Sequence, residues 1–273
     1  MTSLGVVVPG FRPDVERLEA YLRDLVDALE PAAVRVELDD PAPATEALVR
    51  DIDVAPLSVN VAPVRRGKGA AVTAGFEALD TDHLAFTDAD GSTPAAELGR
   101  VVDALDGADL AVGSRRHPDA TVIGHRTWGR RFLGDGFAWL ARRLLAADLH
   151  DYQCGAKAVT AEAWATIRGH LYEPGFGWDV ELVAMAAGLD RRVVEVPIEW
   201  EDQPGSTVDP VGTVVDLGAA LFTARHRAKR LGDSRLHDAI ADRRREDTAL
   251  VDRTTDTAIV DRATDGSGDG DRR

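Results

Sequence analysis

Five short extended runs, Leu4–Val8, Val34–Leu38, Leu57–Val61, His83–Thr87 and Leu110–Val112, alternate with segments of helical periodicity. The intervening helices are expected over Asp14–Leu29, Thr45–Asp51, Gly69–Leu79 and Pro94–Leu105, the last with Ser92 or Thr93 as its N-cap. In the first helix, Leu18, Leu22, Leu25 and Leu29 recur three or four residues apart and mark one apolar face. Such alternation predicts an α/β fold with a mostly parallel sheet sandwiched by helices. Ligands of open α/β sheets bind beyond the carboxyl ends of the strands, so the residues that follow each run carry the chemistry to be tested.

Beyond the fifth run the pattern changes. Helices are expected over Arg126–Ala147, Ala161–Arg168 and Asp179–Ala187, and a late strand over Val193–Trp200. Pro197 cannot donate to a sheet ladder, which assigns that strand to an edge or a bulge. The expected organisation is one α/β domain over residues 1–210, a helical segment over 211–246 and a disordered acidic tail over 247–273. The tail holds two near-copies, Thr248–Asp256 and Thr257–Asp265, ahead of a Gly- and Asp-rich end.

A formal net charge of −15 over 273 residues argues against a general nucleic-acid binder, which needs a basic face. Lysine occurs only at Lys68, Lys157 and Lys229, and acid-rich, lysine-poor composition suits a halophilic cytoplasm. The lone Cys154 excludes an internal disulfide and a cysteine-based zinc site. No apolar run approaches the roughly 18 to 20 residues that span a bilayer, and nothing resembles a signal peptide. A cytoplasmic protein is expected, peripheral on the membrane. Val211–Leu231 suits surface attachment, with apolar Val214, Val215, Leu217, Leu221 and Phe222 ahead of Arg225, Arg227, Lys229 and Arg230.

The fourth run ends in Asp88-Ala89-Asp90-Gly91-Ser92-Thr93. Residues i and i+2 of an extended chain share a face, so both carboxylates can converge on one point. Hard oxygen ligands at that spacing suit Mg²⁺ or Mn²⁺; taken alone, the pattern fits a solvated Asp-Gly turn equally well. Arg65-Arg66-Gly67-Lys68-Gly69 opens the third helix, where backbone N–H groups and cations attract phosphate, although Walker spacing is absent. Pro9-Gly10-Phe11 and Asp39-Asp40 end the first two runs and could admit a planar base. Arg115, Arg126, Arg130 and Arg131 form a second basic cluster, in which Arg126 and Arg130 would share a helix face around an anion; ion pairs with Asp119 or Asp135 are the alternative. Carboxylates recur beside aromatic residues in Asp151–Lys157 and Gly177–Leu182.

In order and spacing, these segments resemble a family-two glycosyltransferase of the GT-A (Rossmann-like) fold. The nearer resemblance is to dolichyl-phosphate glucosyltransferases and polyprenyl-phosphate mannosyltransferases. It is carried by RRGKGAAVTAGF (Arg65–Phe76), DADGST (Asp88–Thr93), VGSR (Val112–Arg115), DYQCGAK (Asp151–Lys157), GFGWDVEL (Gly175–Leu182) and EVPIEWEDQPGST (Glu195–Thr207). The resemblance implies inverting transfer of a hexose, with UDP-glucose favoured as donor, to dolichyl or polyprenyl phosphate for protein or lipid glycosylation. It implies Mg²⁺ or Mn²⁺ on Asp88 and Asp90, a base pocket at Pro9 and Asp40, and Lys68 beside the donor phosphates. It further implies an acceptor phosphate near Arg115, Arg126 and Arg130, with Asp151 as base or acceptor-orienting group and Trp178 and Glu181 as substrate-binding residues. Two loops depart from the family pattern: Val8–Asp14 reads VPGFRPD rather than VPAYNEE, and Asp39–Ala44 reads DDPAPA rather than DDGSTD. Both departures lie in the nucleotide half.

Overall fold

The computed structural model describes residues 2–124, 128–201, 210–231 and 248–253, and of 128–135 and 210–216 the backbone only. In chain order the elements are β1 (Leu4–Phe11), α1 (Val15–Leu29), β2 (Ala33–Asp39), α2 (Pro43–Arg50), β3 (Leu57–Ala62), α3 (Lys68–Glu77), β4 (His83–Thr87), α4 (Ala95–Asp103) and β5 (Leu110–Ser114). There follow β6 (Thr121–Ile123), α5 (Trp128–Leu144), β7 (Ala156–Thr160), α6 (Ala161–Ile167), α7 (Trp178–Gly188), β8 (Val193–Pro197), β9 (Glu199–Glu201) and α8 (Pro210–Leu231).

Seven strands form one sheet in the order β3-β2-β1-β4-β7-β5-β8. Only β7 runs antiparallel, between β4 and β5. The mostly parallel sheet expected from the alternation is therefore present. Side-chain alternation along β1 divides the core: Val6 and Val8 join α1 and α4 on one face, and Val7 joins α3 and α7 on the other. On α1, Leu18, Leu22 and Leu25 are fully buried, and Asp14 caps the helix by accepting the Arg17 N–H (3.2 Å). Neither Ser92 nor Thr93 caps α4. Pro94 precedes that helix, and both candidate caps are buried at the sheet edge.

The late strand is an edge, as Pro197 requires, and it divides there. β8 pairs with β5, while β9 pairs with β6 in a separate two-stranded sheet. β7 was not expected, because Lys157 interrupts a short apolar run with a charge that only tertiary partners explain. Its antiparallel course brings residues 151–155 to the edge where β4, β5 and β8 end.

The expected interfacial helix packs on the domain. Leu217, Leu221 and Ala224 of α8 are buried in the core shared with α7, and Arg227 pairs with buried Glu181 while lying 4.4 Å from the Tyr172 ring centroid. Of the apolar stripe, Leu217 and Leu221 are covered by protein and Phe222 is exposed, while the side chains of Val214 and Val215 lie outside the described residues. Residues 248–253 also differ from the tail expected there: Leu250 is buried and its N–H donates to the Leu171 carbonyl (2.8 Å). The rest of the expected tail, 254–273, lies outside the described residues.

Candidate active site

The carboxyl end of β4 delivers Asp88 and Asp90 to the sheet edge. The Asp88 side chain is 45% exposed and contacts the Lys68 ammonium at 3.0 Å. Asp90 reaches solvent and accepts the Ser92 N–H (2.9 Å). Desolvation by surrounding protein, then the charge of Asp88, raises the Asp90 pKa above the ordinary carboxylate range. Two neighbouring carboxylates that repel each other and open to solvent are a fitting donor set for a hard divalent cation.

Lys68 starts α3 and is 10% exposed, held between Asp88 (3.0 Å) and Asp179 (3.0 Å). Burial works against its charge, but Asp179 and Asp88 outweigh burial and raise its pKa. Asp179 is itself buried and accepts a second ammonium, Lys157, at 2.7 Å. Lys157 also donates to the Cys154 carbonyl (2.7 Å). Lys157 and Lys68 therefore sandwich Asp179 and anchor one end of the acidic pair. Sequence reasoning missed Asp179; its signal was the pairing of a motif carboxylate with two of only three lysines. Gly155 brings the same loop against Asp88, since a Cβ there would fall 1.8 Å from an Asp88 oxygen.

Beyond β2, the two aspartates of the Asp39-Asp40 pair have different jobs. Asp39 is buried and accepts the N–H groups of Arg66 (2.8 Å) and Gly67 (2.9 Å), plus the Arg66 guanidinium (2.8 Å). It shapes the turn before α3, where Gly67 holds φ at 98°. Asp40 instead faces solvent and lines a cleft of about 500 Å³ with Arg12, Pro13, Pro41, Ala42 and Thr45. Arg12 and Asp40 have φ of 50° and 43°, a conformation uncommon outside glycine. Pro9 lies within β1 and does not line this cleft.

Arg115 and Asp151 form a closed pair. Arg115 Nε donates to Oδ2 (2.7 Å) and a terminal nitrogen donates to Oδ1 (3.0 Å). The carboxylate also accepts the N–H groups of Arg115 (3.3 Å) and Gln153 (3.1 Å). Burial alone would raise the Asp151 pKa; Arg115 outweighs it and holds the carboxyl far below its usual range. A group so committed is a poor proton acceptor, which favours the orienting reading over the base reading. Burial pushes the Cys154 thiol up to about 11, which suits a packed residue rather than a nucleophile.

Two expected substrate-binding residues point elsewhere. Trp178 is fully buried against Phe76 and Phe86, and its ring N–H donates to Thr73 (3.1 Å). Glu181 accepts the N–H groups of Tyr172 and Glu173 (2.8 Å each) and pairs with Arg227. Their motif mixes site and core because only alternate helix faces reach the sheet edge. Arg126 lies outside the described residues, as does the side chain of Arg130.

The model of "Glycosyl transferase family 2" matches residues 16–163. Glycosyltransferase AglD of Haloferax volcanii is 30% identical over 81% of this chain, and the match spans 36% of that protein. Mouse dolichyl-phosphate beta-glucosyltransferase is 31% identical over 59% of this chain and 52% of its own length. The chain thus spans between a third and about half the length of these relatives. Among solved structures, glucosyl-3-phosphoglycerate synthase from Mycobacterium tuberculosis, in complex with Mg²⁺ and uridine-diphosphate, superposes with a TM-score of 0.61 at 17% identity, covering 82% of this chain and 79% of that one. That likeness supports the GT-A fold.

Proposed function

The chain belongs to glycosyl transferase family 2, and on that premise we propose that it transfers a hexose from a nucleotide-sugar, UDP-glucose foremost, to dolichyl or polyprenyl phosphate with inversion. The observation that carries this reading is the convergence, on one sheet edge, of the open Asp88–Asp90 pair, buried Lys68 and the Arg115–Asp151 clamp. Asp88 and Asp90 would hold Mg²⁺ or Mn²⁺, which supplies Lewis acidity toward a departing nucleoside diphosphate.

Each residue then has a physical task. Lys68 already carries a full charge at the acidic pair and would add it to the donor's phosphates. Asp40 and Arg12 would flank the base in their cleft. Asp151 would hold the Arg115 guanidinium in place rather than take a proton, since a lipid phosphate is already anionic near neutral pH. No helix among the described residues is long and apolar enough to cross a membrane. Contact with the membrane surface would instead use exposed groups such as Phe222 and Trp139, beside Arg143 and Lys229.

The test is a screen of nucleotide-sugars against a short-chain polyprenyl phosphate, at high salt with Mg²⁺ or Mn²⁺. A lipid-extractable sugar phosphate that depends on the cation is expected. Turnover on soluble acceptors alone would point to a different transferase, and nucleotide-sugar binding without turnover to a non-catalytic module.

A further inference from the structure

Among the described residues, three side chains other than the acidic pair form a ligating cluster: His117, His150 and Glu195, with one nitrogen or oxygen from each within 4.8 Å of the others. His117 follows β5, His150 precedes β7 and Glu195 lies in β8, so three chain segments meet at the sheet edge that carries Arg115 and Asp151. Glu195 is the fixed member. Its side chain is 9% exposed, and Oε1 accepts the N–H groups of His150 (2.7 Å) and Asp151 (2.9 Å). Oε2 lies 2.8 Å from His150 Nδ1.

The two imidazoles meet edge to face with centroids 5.3 Å apart. Each has its Nδ1 near a carboxylate: His150 at Glu195, and His117 at 3.6 Å from Asp119. For His117 a carboxylate behind Nδ1 leaves Nε2 for an ion, as in metalloproteins, whereas at His150 the ion would take the place of the hydrogen bond between Nδ1 and Glu195. His117 Nδ1 also accepts the Asp119 N–H (3.2 Å), which keeps the ring proton on Nε2 in the neutral side chain. A cation arriving at Nε2 would displace that proton, and Nδ1–H would then find the Asp119 carboxylate.

We propose that His117, His150 and Glu195 form a second cation site, distinct from Asp88 and Asp90 and selective for imidazole-preferring divalent ions of the Zn²⁺ class. Ligands around a tetrahedral zinc stand about 3.3 Å apart, so the cluster must contract by roughly 1.5 Å. The histidine side chains are 27% and 41% exposed and have room to swing, whereas Glu195 is held by two backbone donors. The two sites differ in softness. Paired carboxylates suit Mg²⁺ or Mn²⁺, and imidazoles with one carboxylate suit zinc, cobalt or nickel.

The test needs no activity. The full chain, stripped with chelator, is titrated with Zn²⁺ by calorimetry and with Co²⁺ by visible absorption, in excess Mg²⁺. Wild type, Asp90→Asn, His117→Ala and His150→Ala are compared, with His117→Asn as a second variant and thermal melts to verify folding. One equivalent that survives Asp90→Asn and weakens on the order of 100-fold without either histidine is expected. Zn²⁺ binding that is unchanged in the histidine variants, lost in Asp90→Asn, or absent from wild type would overturn the proposal and leave the trio as a hydrogen-bonded brace for Asp151.

Discussion

The two halves of the site handle charge in opposite ways. At the half proposed to take the donor, Asp88, Asp90 and Asp40 reach solvent, and Asp90 is held above its usual pKa. At the half proposed to take the acceptor, Asp151 is buried, paired with Arg115, and held far below its usual pKa. The contrast teaches a way to separate roles. An open, under-compensated carboxylate is poised for a ligand, whereas a closed ion pair sets the position of its partner. Asp179, buried between Lys68 and Lys157, sits at the joint and belongs to the second kind.

Mutations break this comparison in order of size. Asp90→Asn is expected to lower sugar transfer by at least about 100-fold, since stabilising charge on a leaving group is worth several kcal/mol. Its melting temperature should stay at or above wild type, because one of two repelling charges is gone. Asp151→Ala should do the reverse to the fold. It strands Arg115 without its partner, and a denaturant titration should show a loss of about 3–5 kcal/mol. Equal stability of the two variants would erase the distinction between the halves.

Acidification sharpens the comparison through Asp90. A raised carboxylate pKa means that the charged form is disfavoured in the fold, so in cation-free protein this cost is present above the Asp90 pKa and relieved as pH falls through it. A cation relieves the same repulsion and competes with the proton. The Mn²⁺-induced rise in melting temperature should therefore be full near neutrality, and should fade at a pH above the ordinary aspartate value of about 3.9. Asp151 contributes in the opposite sense. Its folded pKa is depressed, so its stabilisation is full above that ordinary value and is lost progressively as pH falls below it. A cation effect that survived undiminished under acid would place the ion elsewhere.

The smallest change is expected at Asp40→Gly. Glycine adopts the φ of 43° without a Cβ penalty but loosens the unfolded chain, so stability should move by no more than about 1 kcal/mol. Nucleotide affinity, read by calorimetry, should nonetheless fall. Unchanged affinity would remove Asp40 from the base pocket.

Much of this architecture was legible in the residues. The first five strands are short apolar or alternating runs between helical segments, and the carboxylates that follow β4 stand where an open sheet presents ligand groups. What escaped depends on contacts distant in sequence. β7 was hidden because Lys157 reads as a surface charge until Asp179 is seen beside it. Trp178 and Glu181 read as site residues through the family resemblance of GFGWDVEL, yet they pack into the core and against α8. Asp39 and Asp40 are adjacent, but Asp39 ends β2 and turns to the α3 loop, while Asp40 leaves the strand with a positive φ and faces solvent. Which apolar residues of α8 are buried was not legible either, because α7 and α5 decide the burial of Leu217, Leu221 and Ala224.

Formation of a polyprenyl-phosphate sugar from UDP-glucose, followed by extraction and mass spectrometry, tests the central claim most directly. Wild-type protein with Mn²⁺ should form the product; chelator or Asp90→Asn should abolish it while the melting curve remains cooperative. Undiminished product in the chelated or Asp90→Asn protein would contradict the account.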